Sequence, residues 1–153
     1  MPIPMQIVGS SPLQIVTSGA ALASGSTAVF GPFQNVSGQT LGGYTAADLR
    51  LVFTMAGAPV AGSAIVVYTL NAQDPTQNAN FEDGSAGNPG VIPTKTPAGL
   101  LLLDTTQTSY NRSLCGPIVL PPGYFKILIW NNATGQSIAA NWNAYLAPWT
   151  PGF

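Results

Sequence analysis

Apolar residues in this chain recur at every second position in short runs, and helical spacing is hard to find. In Leu49-Arg-Leu-Val-Phe-Thr-Met55 the side chains of Leu49, Leu51, Phe53 and Met55 fall on one face, with Arg50, Val52 and Thr54 on the other. That alternation predicts a half-buried antiparallel strand. Ala64–Leu70 and Phe125–Trp130 are more continuously apolar, which predicts strands covered on both faces and central in their sheets.

Gly and Pro interrupt the chain too often for long helices. Further strands are expected at Gln14–Thr17, Thr27–Phe30, Gly99–Thr105, Pro117–Leu120 and Ser137–Leu146. Tyr124–Asn131 and Ser137–Leu146 read as a hairpin closed by Asn132-Ala-Thr-Gly-Gln136, with Trp130 and Trp142 on its two arms. About eight short strands at this spacing predict an all-β fold, an antiparallel β-sandwich with the jelly roll among its wirings. The predicted organisation is an extended N-terminal arm, Met1–Pro12, followed by one sandwich domain over residues 13–153 with a long loop at Asn71–Ala98.

Composition narrows the functional classes. Charged side chains make up 6% of the chain and hydrophobic ones 46%, whereas soluble proteins carry roughly 25% charged residues. Four basic residues and a net charge of −1 give no phosphate-binding stripe, so no nucleic-acid partner is expected. A near-neutral chain stays soluble most easily when neighbours cover it, which predicts an obligate assembly. The longest apolar runs, such as Gly99–Leu103 and Ile127–Trp130, fall well short of the roughly 20 residues that span a bilayer, so no membrane partner is expected. Met1-Pro-Ile-Pro-Met-Gln6 has no basic or apolar leader character, and cytoplasmic synthesis without export is the simplest expectation.

The chemistry available is sparse. There is no histidine and one cysteine, Cys115, which is expected to be a small buried hydrophobe. Without histidine, a Ser or Cys nucleophile lacks its usual base. Five carboxyls, Asp48, Asp74, Glu82, Asp83 and Asp104, offer no pairing of the kind glycoside hydrolysis needs; Asp48 and Asp104 read as turn or edge residues with Arg50 and Arg112 as ion-pair partners. Asp74, Glu82 and Asp83 with Asn78 and Asn80 could offer oxygens to calcium, but their spacing does not match an EF-hand and they read first as a solvated acidic segment. Lys126 is expected to face solvent or an interface. No catalytic residue, metal or cofactor is therefore expected. Asn35-Val-Ser37, Asn111-Arg-Ser113 and Asn132-Ala-Thr134 match the glycosylation pattern but carry no weight without a leader.

Contact residues are sought in three segments. The arm places Ile3, Met5 and Ile7 between prolines and polar positions, suited to adding a strand to a neighbouring sheet edge. Phe81 is the large apolar residue of the long loop. Trp149 and Phe153 follow the last expected strand in a tail stiffened by Pro148 and Pro151, with little entropy left to lose on docking; packing back onto their own sandwich is equally compatible.

The run Leu114-Cys-Gly-Pro-Ile-Val-Leu-Pro-Pro-Gly-Tyr-Phe-Lys-Ile-Leu-Ile-Trp-Asn-Asn132, with Ala144-Tyr-Leu-Ala-Pro-Trp149 behind it, resembles accessory virion proteins of tailed bacteriophages. The resemblance covers mainly the last forty or so residues. It implies a capsid decoration or cement protein, located on the virion after synthesis in the host cytoplasm. Its partner would be a major capsid or other virion protein, and it would form a homo-oligomer, a trimer being favoured. The alternative reading is a carbohydrate-binding module for host attachment, with Trp149, Tyr145 or the long loop at its site.

Overall fold

Strand β4, Ala46–Thr54, keeps the alternation its sequence predicts: Leu49, Leu51 and Phe53 are buried, as is Met55 just beyond it, while Asp48, Arg50 and Thr54 are exposed. In this computed structural model residues 6–9, 11–39, 41–72 and 92–152 are described. Among them the remaining strands are β1 (Gln6–Gly9), β2 (Leu13–Gly19), β3 (Thr27–Asn35), β5 (Ala64–Ala72), β6 (Gly99–Leu102), β7 (Ser109–Ser113), β8 (Ile118–Val119), β9 (Gly123–Asn132) and β10 (Trp142–Gly152). All pairings are antiparallel, and the strands form two sheets packed as an all-β sandwich.

The first sheet runs β1-β10-β4-β7, with β2 also on β10 and β8 also on β4. β1 and β2 follow one another along the same edge of β10, opposite residues 149–152 and 142–146, and β7 and β8 do the same along β4. The second sheet runs β3-β9-β5-β6. Its central strands, β9 and β5, are the two continuously apolar segments. Ile65, Val67, Phe125, Ile127 and Ile129 face the first sheet in the main core. Ala64, Val66, Tyr68, Leu70 and Leu128 form a second buried cluster on the opposite face, joined by Val29, Ile92 and Trp130. Both faces are thus covered within one chain, which is why neither strand could alternate.

Several expectations are corrected. β9 and β10 do not form a hairpin: β9 pairs with β3 and β5 while β10 pairs with β4, β2 and β1, so the connection crosses from one sheet to the other. The crossing is fixed by Asn131, whose amide donates to the Leu22 and Gln136 carbonyls at 3.0 and 2.9 Å and accepts from Thr134 Oγ1 at 2.7 Å. Trp142 therefore lies in the main core, and Trp130 sits half-buried on the outer side of the other sheet. β10 begins only at Trp142 and continues to Gly152. Pro148 is accommodated because it falls level with the break between β1, which ends opposite Trp149, and β2, which begins opposite Leu146.

β7 has no counterpart among the expected strands. The long loop starts later than expected, since Asn71 and Ala72 belong to β5, while at its other end β6 begins at Gly99, directly after Ala98. Lys126 is only 4% exposed, on the side of β9 shared with Leu128 and Trp130, and so does not face solvent. Cys115 is exposed, because the chain turns at Gly116, φ 108°, between β7 and β8 and leaves Leu114 rather than Cys115 facing the core. No helix among the described residues is long and apolar enough to cross a membrane.

Candidate functional site

The outer face of the first sheet brings aromatic, amide and charged side chains together. Cross-strand register sorts its side chains into rows. Asn143, Val52 and Asn111 form one row; Gln14, Tyr145, Arg50 and Ser113 form the next; Ala147 and Asp48 follow; Trp149, Ala46 and Val119 close the series. Successive rows are about 7 Å apart along the strands, so the Asn143 and Trp149 rows are separated by roughly 20 Å.

Each row has a distinct character. In the second, the Arg50 guanidinium lies 4.8 Å from the centroid of the Tyr145 ring, a cation–π contact that covers one side of the aromatic. Gln14 Nε2 donates to Asn143 Oδ1 at 3.0 Å, and the Ser18 N–H donates to the same oxygen at 3.3 Å. In the last, Trp149 and Ala46 are half-buried and Val119 is 72% exposed. A half-covered indole and an exposed valine on either side of Ala46 make an apolar strip with little charge around it; Asp48 and Arg50 are the charged side chains of these rows.

At the other end, a groove of about 330 Å³ opens between the start of β10 and β7. Thr54, Ser109, Asn111, Asn141 and Asn143 line it over Val52, with the buried Phe53, Tyr110 and Trp142 beneath. Asn141 holds its rim with φ 68°, in the left-handed region.

The expected contact residues fare unequally. Trp149 is part of β10, opposite Ala46 and Gly9, and so is a strand residue rather than the free tail residue its flanking prolines implied. Ile7 lies in β1 opposite Pro151, so residues 6–9 of the arm add a strand to their own chain's sheet. Ile3, Met5, Phe81 and Phe153 lie outside the described residues, as do Asp74, Asn78, Asn80, Glu82 and Asp83. Val119, Asn111, Asn141 and Asn143 were not singled out from sequence. Nothing local marks them; only the strand register brings them to one face.

The remaining charged groups take structural roles. Asp104 accepts from the Thr106 N–H and Oγ1, both at 2.8 Å, and these bonds hold its carboxyl below the usual carboxylate range. Arg112 donates to Gln107 Oε1 at 2.8 Å and lies near the Tyr110 ring, its charge also helping to hold the Asp104 carboxyl down, and Arg50 rests on Tyr145. Among the described residues no three Cys, Asp or Glu side chains are grouped to hold a metal. Two glycosylation-like motifs have other uses: the Asn35 amide donates to the Tyr44, Leu120 and Pro121 carbonyls, and Thr134 is buried against Asn131.

No family model, curated protein or solved structure matches this chain.

Proposed function

We propose that this chain is a non-enzymatic virion structural protein, of capsid decoration or cement type, that associates with copies of itself and docks on a protein lattice. The observation that carries this reading is the row of Trp149, Ala46 and Val119: a neutral apolar strip presented on a sheet face by a chain with only four basic and five acidic residues. Aromatic anchors flanked by uncharged surface are what interface cores are made of.

The wiring supports the same reading. Counting β1 with β2 and β7 with β8 as single broken strands, the sheets read first–eighth–third–sixth and second–seventh–fourth–fifth. We read that order as a jelly roll, an architecture used by viral capsid and lectin domains. Fold alone does not assign function, so the surface strip bears the weight. The partner would be a capsid or other virion protein, met after synthesis in the host cytoplasm, with a trimer the favoured self-associated form.

The test is to mix the purified chain with particles that lack it and to heat them. A ligand that binds only the intact lattice raises its melting temperature by mass action. The wild type is expected to raise it and Val119→Lys to raise it less. An unchanged melting temperature with saturating wild type would overturn the proposal.

A further inference from the structure

The groove at the opposite end of the same face points to a second, different kind of ligand. We infer that the cleft between Asn141–Asn143 and Ser109–Asn111 binds a neutral oligosaccharide. The inference does not rest on the lattice reading, because the groove and the Trp149 strip are roughly 20 Å apart along the strands.

Its lining sets the ligand chemistry. Thr54, Ser109, Asn111, Asn141 and Asn143 contribute hydroxyl and amide groups, and among the described residues no charged side chain lines the cleft. The Asn111 and Asn141 amides each offer a donor and an acceptor side by side, which matches a pair of adjacent sugar hydroxyls, while Asn143, whose Oδ1 already accepts twice, offers its N–H groups. The absence of a lining cation disfavours phosphates and carboxylates, whose recognition relies on charge-assisted bonds. Val52 gives the floor an apolar patch for the C–H face of a pyranose, and the Tyr145 ring continues the surface one row away. The volume of about 330 Å³ lies at the lower end of the range for small-ligand sites, enough for one or two sugar units.

Asn141, at φ 68° in the left-handed region that asparagine tolerates, presents its amide at this exposed rim. Asn143 is pre-oriented, since its Oδ1 accepts from Gln14 Nε2 and the Ser18 N–H. Such fixed polar groups lose little entropy when a ligand arrives.

The experiment is titration calorimetry of the full chain with soluble neutral oligomers of glucose, mannose, galactose and N-acetylglucosamine. Polygalacturonate and sialylated glycans serve as charged comparators. At least one neutral oligomer is expected to bind with Kd near or below about 1 mM, and Asn111→Ala and Asn141→Gly are each expected to weaken it about tenfold. Both positions are exposed, and glycine suits the Asn141 backbone, so both variants are expected to fold. Val119→Lys should bind the sugar as the wild type does while losing lattice docking, which separates failure of one proposal from failure of the other. Absence of binding by every neutral oligomer, preference for the charged glycans, or binding unaffected by both groove variants would overturn the inference.

Discussion

Trp142 lies against the backbone of Gly19 so closely that a Cβ on that glycine would clash with the indole ring. The indole N–H donates to the Ala20 carbonyl at 2.8 Å, and the Phe30 ring meets the indole edge-on with centroids 5.4 Å apart. Gly19 and Trp142 are also cross-strand partners in the β2–β10 ladder. Gly19→Ala should therefore destabilise the fold by about 1–3 kcal/mol through overpacking. Thermal unfolding reads this as a fall in Tm of roughly 2–4 °C for each kcal/mol. In a Trp142→Phe background the same alanine should cost less, a coupling that a double-mutant cycle measures.

Asn131 is fully buried and ties the β9–β10 crossing to the segment before β3 through the Leu22 carbonyl. Asn131→Leu removes the donor to two carbonyls and the acceptor of the Thr134 hydroxyl. The Leu22 carbonyl keeps the Ile138 N–H and the Gln136 carbonyl keeps the Thr134 hydroxyl, so the loss is that of three hydrogen bonds at about 0.5–1.5 kcal/mol each, and denaturant unfolding should show a loss of about 2 kcal/mol or more. Ser113→Ala, on an exposed edge strand, should change stability by under about 0.5 kcal/mol.

Asp104 is held below its ordinary pKa chiefly by the Thr106 backbone N–H, then by the Thr106 hydroxyl. A carboxyl depressed in the folded state contributes stability that is present above its unfolded pKa and is lost as pH falls through the folded pKa. Part of the acid sensitivity below about pH 4 should thus belong to this turn. Titration by NMR should place Asp104 below exposed model carboxyls, and Thr106→Val should move it upward; an unmoved midpoint would remove the hydroxyl from the account.

Cys115 is exposed at the turn after β7. One thiol per chain should react with a maleimide in native buffer, without denaturant, and the labelled chain should keep the wild-type Tm. A thiol that reacts only after unfolding would contradict its placement.

What could be seen in the sequence follows from how burial writes itself into a strand. β4 was legible because one face is core and the other is exposed; β5 and β9 were legible as central strands because both faces are apolar. β7 was not, since Tyr110 is its single buried residue and an edge strand needs little more. Trp149 was misplaced because prolines usually end a central strand, and only the break between β1 and β2 makes room for Pro148. The functional face was illegible for a different reason. Tyr145 and Trp149 could be picked out as aromatics, but their meeting with Arg50, Ala46 and Val119 depends on strand register and on which strands are neighbours, and no local pattern states either.

The most direct test of the assembly reading is the solution mass of the purified chain by size exclusion with light scattering, wild type beside Val119→Lys. Val119 is 72% exposed, so the substitution leaves the fold intact, as circular dichroism would verify. The account predicts a trimer or larger species for the wild type and a shift toward monomer for the variant. A wild type that stays monomeric up to high concentration, or an oligomer untouched by a charge in the Trp149 strip, would contradict it.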